Sequence, residues 1–205
     1  MRKVSPKTLT RALFYIRTLN RLLHLGGSVV SSKELADIMG FSDAQVRKDI
    51  SNFGKVGKPR IGYKVAELKQ VLEDFLVQDV VHAALFGVGN LGSAILRYSG
   101  FHQNKIKLVA AFDIDKNKIG KTINGVPVYA MKDIREIVRR THVDIGIIAA
   151  PEEASQDIAD LIVGSGLKGI VNFAPTSVSV PKGVFVKDID LSIEFLSLFC
   201  DMQHS

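Results

Sequence analysis

The sequence holds one cysteine, Cys200, and no tryptophan. A lone thiol closes no internal disulfide and supplies no multi-cysteine metal site. No apolar run approaches the roughly 20 residues that a membrane-spanning helix needs. Charged residues run through positions 1–25, unlike the charged-then-apolar order of an export signal. There is no low-complexity tract and no linker rich in proline or glycine. A cytoplasmic protein without membrane or metal partner is expected.

What is present is a displaced charge. The 205 residues allow one large domain or two small ones, and the net charge is +6. Residues 1–80 hold 14 Lys and Arg against 8 Asp and Glu, so the whole excess sits there. Residues 81–205 hold 13 of each sign, and residues 1–65 hold 13 cations against 4 acids. A basic module joined to a neutral one points to an anionic partner for the first.

The basic part reads as helical. Ser5 can cap, and Pro6 can open, a helix over 6–25. Leu9, Leu13, Ile16 and Leu23 recur in it at helical spacing, and Gly26-Gly27 stops it. Ser31 with Glu34, and Ser42 with Gln45, form two capping boxes eleven residues apart, separated by Met39-Gly40-Phe41. Two short helices joined by a glycine turn make a helix-turn-helix pattern. Gly57, Pro59 and Gly62 then predict a small hairpin over 55–64, followed by a helix over 65–76.

In a helix-turn-helix the early residues of the second helix meet base edges. That singles out Gln45, Arg47 and Lys48, with Ser51 and Asn52 toward phosphates. Lys55, Lys58 and Arg60 sit where a hairpin wing would meet phosphates or the minor groove, and Tyr63 closes the wing.

Near residue 79 the pattern changes. Continuous apolar runs at 80–86, 108–113, 143–150 and 168–173 alternate with helical stretches at 91–99, 131–140 and 152–163. This predicts an α/β, doubly wound parallel sheet. Residues 185–190 can add a strand and 191–199 a very apolar terminal helix. Gly87, Val88, Gly89, Asn90, Leu91 and Gly92 directly follow the first strand and open a helix, the context that gives G-x-G-x-x-G its meaning. Gly87 allows the tight turn, Gly89 lets backbone approach a pyrophosphate, and Gly92 lets helix pack on strand. Amides at that helix start then face the anion. Asp113 ends the second strand 21 residues after Gly92, where a carboxylate accepts from ribose hydroxyls and disfavours a 2′-phosphate. Lys118 lies near it in sequence. Ala149, Ala150, Pro151, Asn172 and Ala174 end later strands, and Tyr98 ends the helix after the glycine loop.

A dehydrogenase needs an acid–base group beside the nicotinamide. His24, His82, His102, His142 and His204 all fall away from the carboxyl ends of the strands. The expectation is a non-enzyme with no catalytic residue. An oxidoreductase with a basic accessory domain, or a nucleotide-binding module that docks an acidic protein, are the alternatives.

The motifs QVRKD, S-x-F-G and G-x-x-x-x-G-Y over 45–63, GVGNLG with AFD, GVPVY at 125–129 and GLKGIVNFAP at 166–175 together resemble the Rex family of redox-sensing transcriptional repressors. The resemblance runs nearly end to end. It implies a winged-helix DNA-binding domain over 1–78, a Rossmann NAD(H) domain over 79–190, and a terminal helix over 191–205 exchanged within a homodimer. It also implies binding to double-stranded palindromic operators in the apo or NAD+ state, release by NADH acting as effector, and control of fermentation and respiration genes. The family commonly has a basic residue and then glycine in the wing where this chain has Pro59 and Arg60. The second half also resembles CoA-binding domains.

Overall fold

Ser5 starts the first helix: its hydroxyl accepts from the Thr8 amide at 3.2 Å, and Pro6 takes the first turn of α1 (Pro6–His24). The structure is a computed structural model describing residues 4–58, 61–76 and 79–204, with only the backbone at His102 and Gln103. By internal contacts the chain divides into Met1–Asp79 and Val80–Ser205. Pro59, Arg60, Val77 and Gln78 lie outside the described residues.

In the first unit, α1 packs on α2 (Ser32–Met39), α3 (Asp43–Ser51) and α4 (Val65–Leu76). Its buried face is Ala12, Tyr15, Ile16 and Leu19. The expected face is rotated: Leu13 and Leu23 are exposed, and Tyr15 is inside. A tyrosine can be buried there because its hydroxyl finds a partner on α3. The capping box at Ser31 forms in both directions. At Ser42 only half of the second box forms, the Gln45 amide donating to the Ser42 hydroxyl at 3.2 Å. The Gln45 side chain instead donates to the Asp49 carboxylate at 2.8 Å. A charged acceptor one turn away wins over a neutral backbone group.

The expected hairpin over 55–64 is only a bridge. Lys58 and Gly62 exchange backbone bonds of 3.0 and 3.1 Å. The arm that follows, β2 (Tyr63–Lys64), pairs antiparallel with β1 (Val29–Val30) rather than with residues 55–57. Gly54 and Gly57 hold positive φ, so that stretch is not extended enough to be a strand partner.

The second unit is a seven-stranded sheet ordered β5-β6-β4-β3-β7-β8-β9. Its strands are β3 (Val81–Phe86), β4 (Ile106–Asp113), β5 (Thr122–Ile123), β6 (Val126–Ala130), β7 (Ile145–Ile148), β8 (Gly169–Asn172) and β9 (Phe185–Asp188). All pairs are parallel except β5–β6. Helices α5 (Asn90–Leu96), α6 (Gly100–Gln103), α7 (Ile134–Arg140) and α8 (Glu152–Gly164) connect them. β6 was not expected as a strand. Pro127 interrupts its run, which is tolerable because the pairing with β4 begins only at Val128, one residue later.

The sheet is covered on both faces, which is why its strands read as unbroken apolar runs. Ala84 and Phe86 enter one core cluster, Ala83 and Leu85 the other. The chain winds outward from β3 through β4 to β6, then resumes with β7 on the opposite side of β3. That reversal opens a crevice at the carboxyl ends of β3 and β7. The last helix, α9 (Leu191–Gln203), extends beyond the expected 199 and buries no residue.

Candidate nucleic-acid interface and dinucleotide cleft

One carboxylate sets the position of α3. Asp49 is 1% exposed. Arg11 of α1 grips it as a fork, Nε to Oδ2 at 2.6 Å and Nη2 to Oδ1 at 2.7 Å. The Tyr15 hydroxyl donates to Oδ2 at 2.9 Å, and Gln45 completes the set. Burial opposes the charge on Asp49, but the bonds from Arg11, Tyr15 and Gln45 outweigh it and hold the carboxyl below its ordinary range. Burial and the adjacent carboxylate push the Tyr15 hydroxyl well up. The sequence reading missed Arg11 and Tyr15 altogether, since their partner lies 38 and 34 positions away.

With α3 so held, its outer residues face a concave surface toward the wing. That surface brings together Arg47, Ser51, Lys55, Lys58 and Tyr63, along with Ser31 and Ser32. Gln45 and Lys48 are not among its lining. Gln45 is half-buried and turned to Asp49, so the structure does not offer it free to a base. Lys48 is exposed elsewhere on the helix. Ser51 Oγ and Asn52 Nδ2 donate to the Lys48 carbonyl at 2.7 and 2.9 Å, finishing the helix end. The Tyr63 ring lies against Gly57, where an added Cβ would stand 2.6 Å from Tyr63 Cδ1. Arg60 lies outside the described residues.

In the second unit the three glycines separate by cause. Gly87 has φ +96, and a Cβ there would lie 2.5 Å from the Ala149 carbonyl oxygen. A Cβ on Gly92 would collide with the Gly87 carbonyl. Both are demanded by the protein's own packing. Gly89 has an ordinary φ of −77, and an added Cβ meets nothing within 4 Å. Its smallness serves space outside the chain.

That space is a cleft of about 410 Å³. Gly87, Val88, Gly89, Asp113, Lys118, Ala149, Ala150 and Pro151 line it. Asp113 is 7% exposed and turned back on the glycine loop. Its Oδ2 accepts from the Val88 amide at 2.8 Å and from Lys118 Nζ at 3.3 Å, and its Oδ1 from the Asp115 amide at 2.8 Å. Burial raises its pKa, but the Asp115 and Val88 amides and Lys118 more than reverse this, so it stays an anion. Three of its roughly four acceptor positions are thus engaged within the chain.

The cleft was also missed in part. Ile114, 84% exposed, and Leu161, 43% exposed, present apolar surface to it beside Met131 and Ala154. Their signal was exposed apolar side chains just past Asp113 and on the solvent face of α8. The expected Asn90, Leu91, Gly92, Tyr98, Asn172 and Ala174 do not line it. Asn172 is fully buried; it donates to the Thr176 carbonyl at 2.7 Å and Asp188 at 2.8 Å, and accepts from Ala174 at 3.0 Å. It holds the loop after β8. Tyr98 packs edge-on against Phe101 at 5.1 Å.

A winged helix-turn-helix followed by a doubly wound sheet with a glycine-rich nucleotide turn defines a class: transcription regulators that carry their own dinucleotide receptor. Residues 3–51 match the family model "Putative DNA-binding protein N-terminus", and residues 79–176 match "CoA binding domain". The redox-sensing transcriptional repressor Rex of Exiguobacterium sibiricum is 39% identical over 203 residues, covering 98% of this chain and 93% of that protein. The crystal structure of RSP with beta-NAD+ and operator DNA superposes with TM-score 0.89 at 32% identity, covering 100% of this chain and 94% of that one. RSP with beta-NADH gives 0.87 at 32% identity, covering 100% and 96%. The chain belongs to the Rex family of redox-sensing transcriptional repressors.

Asp49→Asn is expected to destabilise the first unit by about 3 kcal/mol in urea denaturation, because it leaves Arg11 without its charge partner. Asp49 has its pKa depressed on folding, so its contribution is complete above the unfolded value of 3.8 and is lost as pH falls through the folded value. The difference between wild type and Asp49→Asn should therefore shrink only in acid. In the second unit, Gly92→Ala should cost roughly 1–3 kcal/mol, whereas Gly89→Ala should stay within about 0.5 kcal/mol in the same melt.

Proposed function

We propose that this repressor holds palindromic operator DNA through residues 1–78 in its apo or NAD+ form and releases it when NADH enters the cleft of residues 79–190. The observation that carries the reading is Gly89. It is a glycine its own fold does not require, set beside a cleft that Asp113 and Lys118 also line. In this reading NADH acts there as an effector, not as a redox substrate. Gly87, Val88, Gly89, Asp113, Lys118, Ala149, Ala150 and Pro151 are its binding residues. Arg47, Lys48, Ser51, Lys55, Lys58 and Tyr63 serve the DNA. Solved RSP complexes with NAD+ and operator DNA, and with NADH, support the same pairing of ligands.

A second copy of the chain completes the device. On α9, Leu191, Ile193, Phe195, Leu196, Leu198, Phe199 and Met202 each expose 55–75% of their surface. So much exposed apolar surface on one helix needs cover. Exchange of residues 191–205 between protomers supplies it and gives two reading heads for two half-sites. A ligand that prefers one dimer geometry then depletes the other, and DNA and NADH weaken each other's binding by one common factor. The regulated genes are those of fermentation and respiration, in the cytoplasm. Among the described residues no helix is long and apolar enough to cross a membrane, and no His, Cys, Asp or Glu cluster is placed to hold a metal.

Saturating NADH should weaken binding to a palindromic operator at least tenfold in a fluorescence-anisotropy titration; unchanged affinity rejects the mechanism. Asp113→Ala should lose NADH binding and keep DNA binding. Replacing NADH by CoA in that titration separates the two nucleotide readings. Deleting residues 191–205 should yield a monomer by sedimentation equilibrium, whereas a dimer of the shortened chain would place the interface elsewhere.

A further inference from the structure

Asp43 is the first residue of α3, and its Oδ2 lies 2.8 Å from Nη1 of Arg47, one turn along the same helix. Arg47 lines the concave face with Lys55 and Lys58, and no ion pair joins either lysine among the described residues. Tyr63 stands by: burial raises its pKa first, with the charge of Arg47 opposing and that of Asp43 adding, so all three groups share one neighbourhood. Asp43 is not the cap of α3, a role Ser42 fills. An acid in the first turn also suits the helix dipole, but this one pairs with a cation that lines the basic surface.

We infer that Asp43 is a specificity-determining residue of the DNA interface, acting on Arg47 by holding it off phosphates while leaving it free to meet a base edge. The inference rests on the reading of α3 as the recognition helix. An unpaired arginine beside Lys55 and Lys58 would grip the phosphates of any sequence, which is how non-specific affinity arises. A carboxylate 2.8 Å away offsets part of that attraction and is itself repelled by phosphate. A guanine edge is different. It offers O6 and N7 without formal charge, so Arg47 can reach it while still oriented by Asp43. With Arg47 largely exposed and Asp43 half-buried, an i,i+4 pair is weak, so it biases Arg47 rather than locking it. Specificity is a difference of affinities, and Asp43 enlarges it by penalising the wrong complexes.

The test uses the full-length chain and two duplexes: one selected by the wild type from a randomised pool, and a shuffled version of it. Asp43→Asn should bind the shuffled duplex about tenfold more tightly, with a salt dependence steeper by about one counterion. Its affinity for the selected duplex should move by less than about threefold, so the ratio of the two affinities falls. Asp43→Glu, which keeps the pair, should restore the wild-type ratio. If Asp43→Asn melts lower than wild type, Asp43→Ser, a residue at home at a helix start, takes its place. Equal shifts on both duplexes, or no shift on either, overturn the assignment. If the wild type enriches no sequence from the pool, α3 is not a reading helix, and the proposal falls with that reading.

Discussion

The buried carboxylate of Asp49 is the interaction on which the reading surface depends. A charge taken out of water is tolerable only when paired and fully hydrogen-bonded, and this one receives Arg11, Tyr15 and Gln45. Because the donors come from α1 and from α3 itself, the rotation and depth of α3 on the helical core are set together. Val46 and Ile50 then enter that core, and Arg47 is left facing the wing. Apolar packing alone would let a short helix rotate or slide with little penalty. A forked arginine–carboxylate bond does not, since its geometry is directional.

The second unit uses the same kind of constraint with backbone in place of side chains. Asp113 accepts from the amide of Val88 and ties the end of β4 to the glycine turn after β3. Gly87 and Gly92 let the turn, the start of α5 and the end of β7 approach to contact. The cleft is therefore a by-product of strand order. β3 has β4 on one side and β7 on the other, and the chain leaves in opposite directions from the carboxyl ends. In both units a buried aspartate, kept ionised by local donors and at least one from a distant segment, positions the groups that line the concave surface or the cleft.

Much of this was legible because it is local. Ser5, Ser31 and Ser42 start their helices, and GVGNLG sits between strand and helix, since caps and tight turns are decided within a few residues. The differences between pattern and structure share one cause. The face of α1, the fate of the Gln45 and Asn172 side chains and the strand character of Val126–Ala130 were all settled by partners far off in sequence. In each case a partner far off in sequence, a hydrogen-bond acceptor, a packing face or a strand edge, decided what local pattern left open.

By itself the sequence determined the two modules, their boundary near residue 79, the concentration of cations in the first and the nucleotide turn in the second. These follow from composition, periodicity and spacings of a few residues. Only the tertiary structure decided which polar groups stay available. It consumed Gln45 and Asn172 inside the protein, left Arg47 outside under the hold of Asp43, and distinguished Gly89 from Gly87 and Gly92. The physical reason is that burial and hydrogen-bond satisfaction are properties of segments brought together, and no segment carries that information alone.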